Sequence, residues 1–228
     1  MAPKILVILT SHGRLGDTGK PTGWFLSEFA HPYDEFKSAG FDIITTSPAG
    51  GIAPVDPMSI EMSKDDPTSV DFLLYPDWQV TDKLCNYLGR ADEFAAVFVP
   101  GGHGPMFDLA VARVSQKVIA EFAEKGKVLA AVCHGPGAFV NVTLAGGEHL
   151  LKGKEVTGFS NAEENIMGLS EVVPFLLEDK LKEVGARYVK AEEPWGVKVV
   201  VDGKLITGQN PASARELGRA VVKAVNEA

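Results

Sequence analysis

Residues 128–137 read Val-Leu-Ala-Ala-Val-Cys-His-Gly-Pro-Gly, and this stretch decides the fold. An apolar, β-prone run ends at a Cys-His pair, a Gly-Pro-Gly turn follows, and a helical pattern occupies 138–145. The stretch therefore predicts a buried strand, a sharp turn and a helix, with one thiol at the turn. This order parallels the strand–nucleophile–helix elbow of hydrolases, with Cys in place of Ser.

Cys133 at this turn has two interpretations. Helix N-terminal N–H groups favour an anion, so a cysteine just before a helix is expected to favour the thiolate through a lowered pKa. A lone cysteine is also often a small buried core residue. The adjacent His134, a candidate base, and the turn built by Gly135 and Gly137 favour the reactive interpretation.

Apolar runs on either side of this stretch predict the rest of the sheet. Runs at 4–10, 41–46 and 95–100 are typical of strands covered on both faces, and helical spacing at 23–39 lies between the first two. This βαβ order predicts a parallel sheet with right-handed crossovers. Further helices are expected at 80–88, 111–124, 162–167, 172–184 and 212–225, and further strands at 155–158, 187–190, 197–201 and 204–207.

The segment 47–77 differs from the rest because it is rich in Pro and Asp and has little periodicity. A structureless loop of that length is uncommon inside a compact domain. We interpret it as a small cap insertion with short helices that shapes a pocket, disorder being the alternative. Residues 1–228 are otherwise expected to form a single α/β domain.

Composition restricts the class of protein. The chain has 228 residues, 45% hydrophobic and 23% charged, with a formal net charge of -8. An acidic chain does not favour nucleic acid or an anionic membrane as a partner, and no apolar segment is long enough to cross a bilayer. Only Cys85 and Cys133 are present, which suits a reducing cytoplasm and gives no zinc-site spacing. Cys85, beside Leu84 and Leu88, is expected to be a packing residue.

Three other places carry candidate chemistry. Gly101-Gly-His-Gly104 follows a predicted strand, and its backbone N–H groups could bind an oxyanion at the edge where Cys133 lies. Glu28 lies among large apolar residues, where burial would keep its carboxyl protonated; a solvated helix face is the alternative. Glu163 and Glu164 follow another strand end, either as partners for His134 or as solvated acids in a first helical turn.

The segment Ala131-Val-Cys-His-Gly-Pro136 resembles the nucleophile elbow of the ThiJ/PfpI superfamily, in particular its heat-shock-protein-like branch of glutathione-independent glyoxalases, glyoxalase III. The resemblance extends over nearly the whole chain. It implies a flavodoxin-like α/β sandwich with a mostly parallel central sheet and helices on both faces. It also implies conversion of methylglyoxal to D-lactate and of glyoxal to glycolate, through a Cys hemithioacetal and an enediol, with no cofactor and no metal.

The resemblance also implies roles for individual residues. Cys133 corresponds to the nucleophile and His134 to the base, which Glu164 orients, with Glu163 as the adjacent alternative. Glu28 corresponds to a glutamic acid that hydrogen-bonds the cysteine sulfur and keeps it a thiolate.

The same resemblance assigns the oxyanion hole to the amides of Gly102 and His134, and places His103 in the substrate pocket. It further implies a cytoplasmic homodimer.

Other functions remain open at this stage. A stress-response holdase chaperone acting on misfolded protein clients and a redox sensor with an oxidisable thiol are both compatible with the family. The sequence shows no obvious exposed apolar stripe for a chaperone. A cysteine peptidase is the less favoured alternative. A glutamine amidotransferase is disfavoured because the only histidine after His134 is His149, outside any His-x-Glu motif.

Overall fold

The computed structural model of the protein describes residues 2–227 and contains two β-sheets. Seven strands form the central sheet: β1 (Lys4–Ile8), β2 (Asp42–Ser47), β3 (Asp82–Lys83), β4 (Ala96–Val99), β5 (Val128–Val132), β8 (Val199–Asp202) and β9 (Leu205–Gly208). Two short strands, β6 (Glu155–Val156) and β7 (Arg187–Tyr188), form a separate parallel pair.

Eight α-helices lie within the described residues: α1 (Leu26–Ser38), α2 (Pro57–Met62), α3 (Pro67–Phe72), α4 (Gly104–Phe107), α5 (Arg113–Glu124), α6 (Asn161–Met167), α7 (Leu177–Glu183) and α8 (Ala214–Asn226). Short 3-10 turns occur at Pro76–Trp78, Leu84–Tyr87, Ala91–Glu93, Gly135–Phe139 and Pro211–Ser213. None of these helices combines the length and hydrophobicity needed to cross a membrane.

The central sheet has the order β3-β2-β1-β4-β5-β9-β8, and every neighbouring pair is parallel except β8 with β9. The chain moves from β1 to β2 in one direction and returns to β4 on the other side of β1. Right-handed crossovers then place α1 and α5 on opposite faces. The predicted α/β fold with a mostly parallel sheet and helices on both faces is confirmed.

The helices are attached to the sheet by regularly spaced apolar side chains. On α5, Val118, Ile119 and Phe122 are fully buried against the sheet. On the other face α8 packs against α1 where a glycine permits a close approach. A Cβ on Gly218 would lie 2.9 Å from the Cα of Pro32, so a larger residue there would push the two helices apart.

The segment 80–88 corrects a prediction. It contains β3, which pairs with the end of β2, and the 3-10 turn Leu84–Tyr87, whereas a helix was expected. Leu84 is buried, which accounts for the apolar signal, but Leu88 is 41% exposed and does not continue a helical face. The strands expected at 197–201 and 204–207 correspond to β8 and β9, which pair antiparallel about a two-residue connection.

The insertion at 47–77 is ordered and carries two short helices. Each begins with the same signals: Asp56 and Asp66 occupy the N-cap positions, and a proline follows at the first helical residue. Phe72 of α3 is fully buried and stacks edge-on with Phe29 at 4.9 Å and with Trp24 at 6.4 Å between ring centroids. These aromatic contacts attach the cap to the start of α1.

Candidate active site

The turn after β5 holds a cysteine in a backbone conformation that non-glycine residues rarely adopt. Cys133 has a φ of 59°, a left-handed torsion whose cost surrounding contacts must offset. Its N–H donates to the Gly208 carbonyl at 2.9 Å, and its carbonyl accepts from the Phe159 N–H at 2.9 Å. The neighbouring segments therefore fix the thiol at the carboxyl end of β5.

The segment after this elbow differs from the prediction. Gly135–Phe139 is a 3-10 turn, and the α-helix expected at 138–145 is absent from the described chain. A Cβ on Gly135 would lie 2.3 Å from the Val99 carbonyl oxygen, so the turn passes tightly against β4. Because so short a turn has a much smaller dipole than a full helix, it gives little of the thiolate stabilisation expected from the sequence.

A chain of contacts links thiol, imidazole and carboxylate. His134 Nδ1 lies 3.3 Å from the Cys133 sulfur, and His134 Nε2 lies 2.6 Å from Glu164 Oε2. All three side chains are buried. A proton on Nε2 satisfies the carboxylate and leaves the Nδ1 lone pair facing the thiol.

The protonation states of this chain follow from burial and charge. Burial lowers the pKa of His134, His103 lowers it further, and Glu164 opposes both effects. Burial tends to raise the pKa of Glu164, but the two neighbouring histidines outweigh that effect and hold it far below its usual value. At neutral pH the geometry therefore presents a neutral imidazole beside an ionised carboxylate.

Glu163 and Glu164 have different surroundings although they are adjacent. Both lie in the first turn of α6, which begins after the N-cap Ser160. Glu163 closes a capping box with Ser160 and accepts hydrogen bonds from the Trp195 N–H at 2.9 Å and the Asn210 side chain at 2.8 Å. Only Glu164 contacts His134, so of the two alternatives it is the acid brought to the imidazole.

Glu28, from the first turn of α1, lies on the Cys133 side of the site. It is fully buried, and its Oε2 accepts the Gly101 N–H at 2.8 Å. Burial raises the pKa of Glu28 to about 8, while the contacts with Cys133 and Gly101 act in the opposite direction. The carboxyl is therefore protonated at neutral pH and can offer its proton to the neighbouring sulfur.

The thiol itself differs from the prediction of a lowered pKa. Burial raises the pKa of Cys133, and so does the Glu28 carboxylate, whereas the Gly102 N–H lowers it. A protonated Glu28 removes the repulsive charge and leaves a hydrogen-bond donor. At neutral pH the thiol and the Glu28 carboxyl therefore both hold a proton, so the Cys133 sulfur has to lose its proton to a base before it attacks.

The backbone amides of Gly102 and His134 are the donors expected for an oxyanion hole. The Gly102 N–H interacts with Cys133, and neither it nor the His134 N–H donates to a backbone carbonyl within residues 2–227. Gly102 has a φ of 84°, and a Cβ there would lie 2.3 Å from the Gly23 carbonyl oxygen. Only glycine fits this position, which leaves both amides available to an oxyanion.

His103 adds a second imidazole to Glu164. Its Nε2 lies 2.9 Å from Glu164 Oε1, and its ring centroid lies 4.2 Å from that of His134. Within the described chain, His103, His134 and Glu164 are the one group with metal-ligand spacing, their ligand atoms lying within 4.8 Å of one another. Both imidazole Nε2 atoms already face the carboxylate oxygens, so hydrogen bonding accounts for this arrangement.

A largely apolar cavity with about 390 Å³ of free space, its open mouth included, adjoins the sulfur. The cap contributes Asp56, Met58 and Met62 to its wall, which agrees with a pocket-shaping role for this segment. The other lining residues are Phe25, Gly102, His103, Cys133, His134, Phe159, Met167, Trp195 and Pro211.

Several lining residues were not predicted from the sequence. Met58, Met62 and Met167 carry no chemical motif, and only the position of the first two inside the predicted cap pointed to the pocket. Asp56 is buried, accepts the Met58 N–H and the Thr22 hydroxyl, and also lines the cavity. Its signal in the sequence was that of an N-cap before Pro57.

The other three histidines lie outside this cavity. His12 stacks on Phe107, His31 pairs with Asp66 at 2.7 Å, and His149 contacts the Val140 carbonyl. Cys85 is exposed, so the expectation that it packs in the core is wrong.

The sequence also matches a known family. The family model for DJ-1/PfpI matches residues 23–224. The chain belongs to the DJ-1/PfpI family. The resemblance noted at the nucleophile elbow is thereby confirmed over most of the chain.

Individual proteins are similar to this chain along its full length. Glyoxalase 3 of Candida albicans is 32% identical, with 97% of this chain and 98% of the relative aligned. Glutathione-independent glyoxalase HSP31 of Saccharomyces cerevisiae is 34% identical, with 94% of each chain aligned. The crystal structure of Rapid Encystment Protein 24 KDa of Francisella tularensis superposes with a TM-score of 0.92 at 36% identity, covering 98% of this chain and 99% of that one.

Proposed function

We propose that this protein is a glutathione-independent glyoxalase that converts methylglyoxal to D-lactate and glyoxal to glycolate, without a cofactor or metal. The observation that carries the proposal is the buried contact chain from the Cys133 sulfur through His134 to Glu164, which opens on an apolar-lined cavity. The names of the full-length relatives support the same reaction class.

Thiol addition begins the reaction. The Cys133 sulfur attacks the aldehyde carbon, C1, while the thiol proton passes to His134 Nδ1, which lies 3.3 Å away. The carbonyl oxygen becomes an alkoxide beside the Gly102 and His134 amides and then takes up that proton. The product is a hemithioacetal, and His134 is neutral again.

Proton transfer between the two carbons completes the isomerisation. His134 removes the proton from C1 and returns it to C2, and the intermediate enediol becomes a thioester of lactate. Glu164 stabilises the imidazolium that forms in between. Water then cleaves the thioester, releasing D-lactate and restoring the thiol.

The direct test is D-lactate formation from methylglyoxal by the purified protein, without glutathione or added metal. Cys133→Ser should form no lactate while its circular dichroism remains that of the parent. Cys85→Ser is the matched control, because Cys85 is exposed and outside the cavity, and it should retain activity. Lactate from Cys133→Ser at the parental rate would contradict the proposal.

A holdase activity is a second candidate, favoured by exposed apolar side chains near the cap. Ile52, Leu74 and Val80 are 81%, 80% and 71% exposed, although no apolar stripe was evident from the sequence. Such surfaces serve protein contacts. Suppression of client aggregation that persists in Cys133→Ser would support this activity, and equal aggregation with and without the protein would exclude it.

We also propose that residues 1–228 form one domain and that the protein is a cytoplasmic homodimer. The family resemblance suggests the dimer, and two unpaired cysteines suit a reducing compartment. Light scattering of the purified protein would measure the oligomeric state.

A further inference from the structure

Glu164 holds two imidazoles, of which the proposed reaction uses one. Oε2 contacts His134 Nε2 at 2.6 Å, and Oε1 contacts His103 Nε2 at 2.9 Å. An ionised carboxylate accepts from both rings, so each neutral imidazole carries its proton on Nε2 and leaves Nδ1 as a lone pair. The His134 lone pair faces the thiol, and the His103 lone pair has no such partner.

The free nitrogen of His103 is accessible to solvent. Within residues 2–227 His103 Nδ1 has no hydrogen-bond partner, yet it is not among the buried atoms that are closed off from solvent. The ring lines the same cavity as Cys133 and His134. The cavity beside the sulfur is therefore lined by two imidazoles, whose ring centroids lie 4.2 Å apart.

The proposed isomerisation requires a second proton transfer that His134 does not perform. While the carbon-bound proton moves from C1 to C2, the proton on the C1 hydroxyl must move to the C2 oxygen, because the product has a C1 carbonyl and a C2 hydroxyl. His134 is already occupied with the carbon-bound proton. A separate group has to serve the two oxygens.

We propose that His103 is a second catalytic acid–base residue that carries this proton between the oxygens. The inference rests on the proposed function. His103 Nδ1 accepts the proton of the C1 hydroxyl as the C1–O bond becomes a carbonyl, and Glu164 stabilises the resulting imidazolium through Nε2. Nδ1 then gives the same proton to the C2 oxygen. No net proton or electron is gained or lost, and both imidazoles return to their starting state.

The first test is His103→Gln. Glutamine can still donate an N–H to Glu164, but it cannot carry a proton between two oxygens. We expect turnover to fall by about a hundredfold or more, while the rate at which iodoacetamide alkylates Cys133 stays within about twofold of the parental rate, because His134 and Glu164 are unchanged. His31→Gln, at a histidine outside the cavity, is the matched control and should retain turnover.

The second test is chemical rescue. His103→Ala removes the ring and leaves a space, so added imidazole should restore part of the lactate formation, and saturably. The hemithioacetal should accumulate in both His103 variants, seen by mass spectrometry as Cys133 carrying one methylglyoxal unit. Neither observation is expected of a residue with a purely structural role.

Three results would overturn the proposal. Near-parental turnover in His103→Gln would show that an amide suffices. A parallel loss of turnover and Cys133 alkylation would show that His103 acts only through Glu164 and His134. Failure of the parent protein itself to form lactate would reject the proposed function and this inference together, whereas the first two results leave the glyoxalase proposal intact.

Discussion

Glu28 and Glu164 contact the same Cys-His pair, yet their protonation states are opposite. Both are glutamates in the first turn of a helix, α1 and α6 respectively. Burial raises the pKa of Glu28 to about 8, whereas the neighbouring imidazoles hold the pKa of Glu164 far below its usual range. The helix dipole is common to both positions, so it does not explain the difference.

The hydrogen-bond partners of the two carboxyls explain the difference in protonation. Glu28 Oε1 is buried without a hydrogen bond from any N–H or O–H group of the described chain, and only Oε2 accepts a backbone N–H. Both oxygens of Glu164 face imidazole nitrogens. A carboxyl that lacks donors keeps its proton, and one with two donors loses it. The same residue type therefore has two roles in this site: Glu28 is a proton donor toward the sulfur, and Glu164 is an anion that stabilises the imidazolium.

The largest effect is expected from Glu164→Gln. Glutamine preserves the size of the side chain but removes the charge that orients His134 and stabilises its imidazolium, so kcat for D-lactate formation should fall by about ten-thousandfold. Stopped assays of lactate measure this directly. Glu171→Gln, at an exposed position, is the control and should match the parent. Activity within tenfold of the parent would show that the Glu164 charge is not needed.

Glu28 and Glu164 should make the free energy of unfolding depend on pH in opposite directions. Between its ordinary pKa of 4.5 and about 8, Glu28 is protonated when folded and ionised when unfolded, so the free energy of unfolding falls as pH rises through this window. Glu164 does the reverse: its contribution is present above its unfolded pKa and is lost as pH falls below it.

Glu28→Gln should remove the pH dependence of stability that Glu28 contributes. Each pH unit in the window changes the free energy of unfolding by about 1.4 kcal/mol per proton, so the parent should lose a few kcal/mol relative to the variant between about pH 5 and about pH 8. Urea unfolding of both proteins at several pH values measures this difference. Parallel curves would mean that Glu28 is ionised in the folded protein.

The activity of Glu28 variants should be affected less than that of Glu164→Gln. Glutamine at position 28 remains a neutral donor toward the sulfur but donates more weakly than a carboxylic acid, so we expect a loss of only about tenfold. Glu28→Leu offers no donor and should lose more. Comparing lactate formation and the pH dependence of Cys133 alkylation in the two variants tests the donor role. A leucine variant as active as the glutamine variant would contradict it.

The sequence was sufficient for the parts of this molecule that local pattern determines. Continuous apolar runs located β1, β2, β4 and β5, and the Pro- and Asp-rich composition of 47–77 indicated a cap with short helices. The apolar neighbours of Glu28 pointed to a buried, protonated carboxyl. Its pKa, raised to about 8 by burial, agrees with that interpretation.

Features that depend on tertiary contacts could not be predicted in this way. The segment 138–145 has a helical pattern, but the structure forms a 3-10 turn at Gly135–Phe139, where Gly135 passes close to β4. The raised pKa of the Cys133 thiol follows from burial beside Glu28, which lies 105 positions earlier in the chain. The choice between Glu163 and Glu164 depends on which way each side chain leaves the first turn of α6, and adjacent residues share the same sequence signal.

The smallest effect on activity is expected from Ser160→Ala, a variant that also tests the different roles of Glu163 and Glu164. The hydroxyl of Ser160 accepts the Glu163 N–H at 3.2 Å and donates to Glu163 Oε2 at 2.7 Å. Its removal leaves the start of α6 without this cap and should lower the free energy of unfolding by about 1 kcal/mol. Ser170→Ala, whose hydroxyl contacts only Asn165 near the surface, is the control and should change stability less.

Measuring the activity of Ser160→Ala distinguishes the role of Glu163 from that of Glu164. Glu163 supports the helix and Glu164 contacts the imidazole, so a weakened cap should reduce lactate formation by less than about tenfold, through looser positioning of Glu164 and without loss of its charge. The pH profile of turnover should therefore keep the parental shape. A loss as large as that of Glu164→Gln, in a variant that remains folded, would mean that the capping network of Glu163 takes part in the chemistry, and that the two adjacent carboxylates act as one unit.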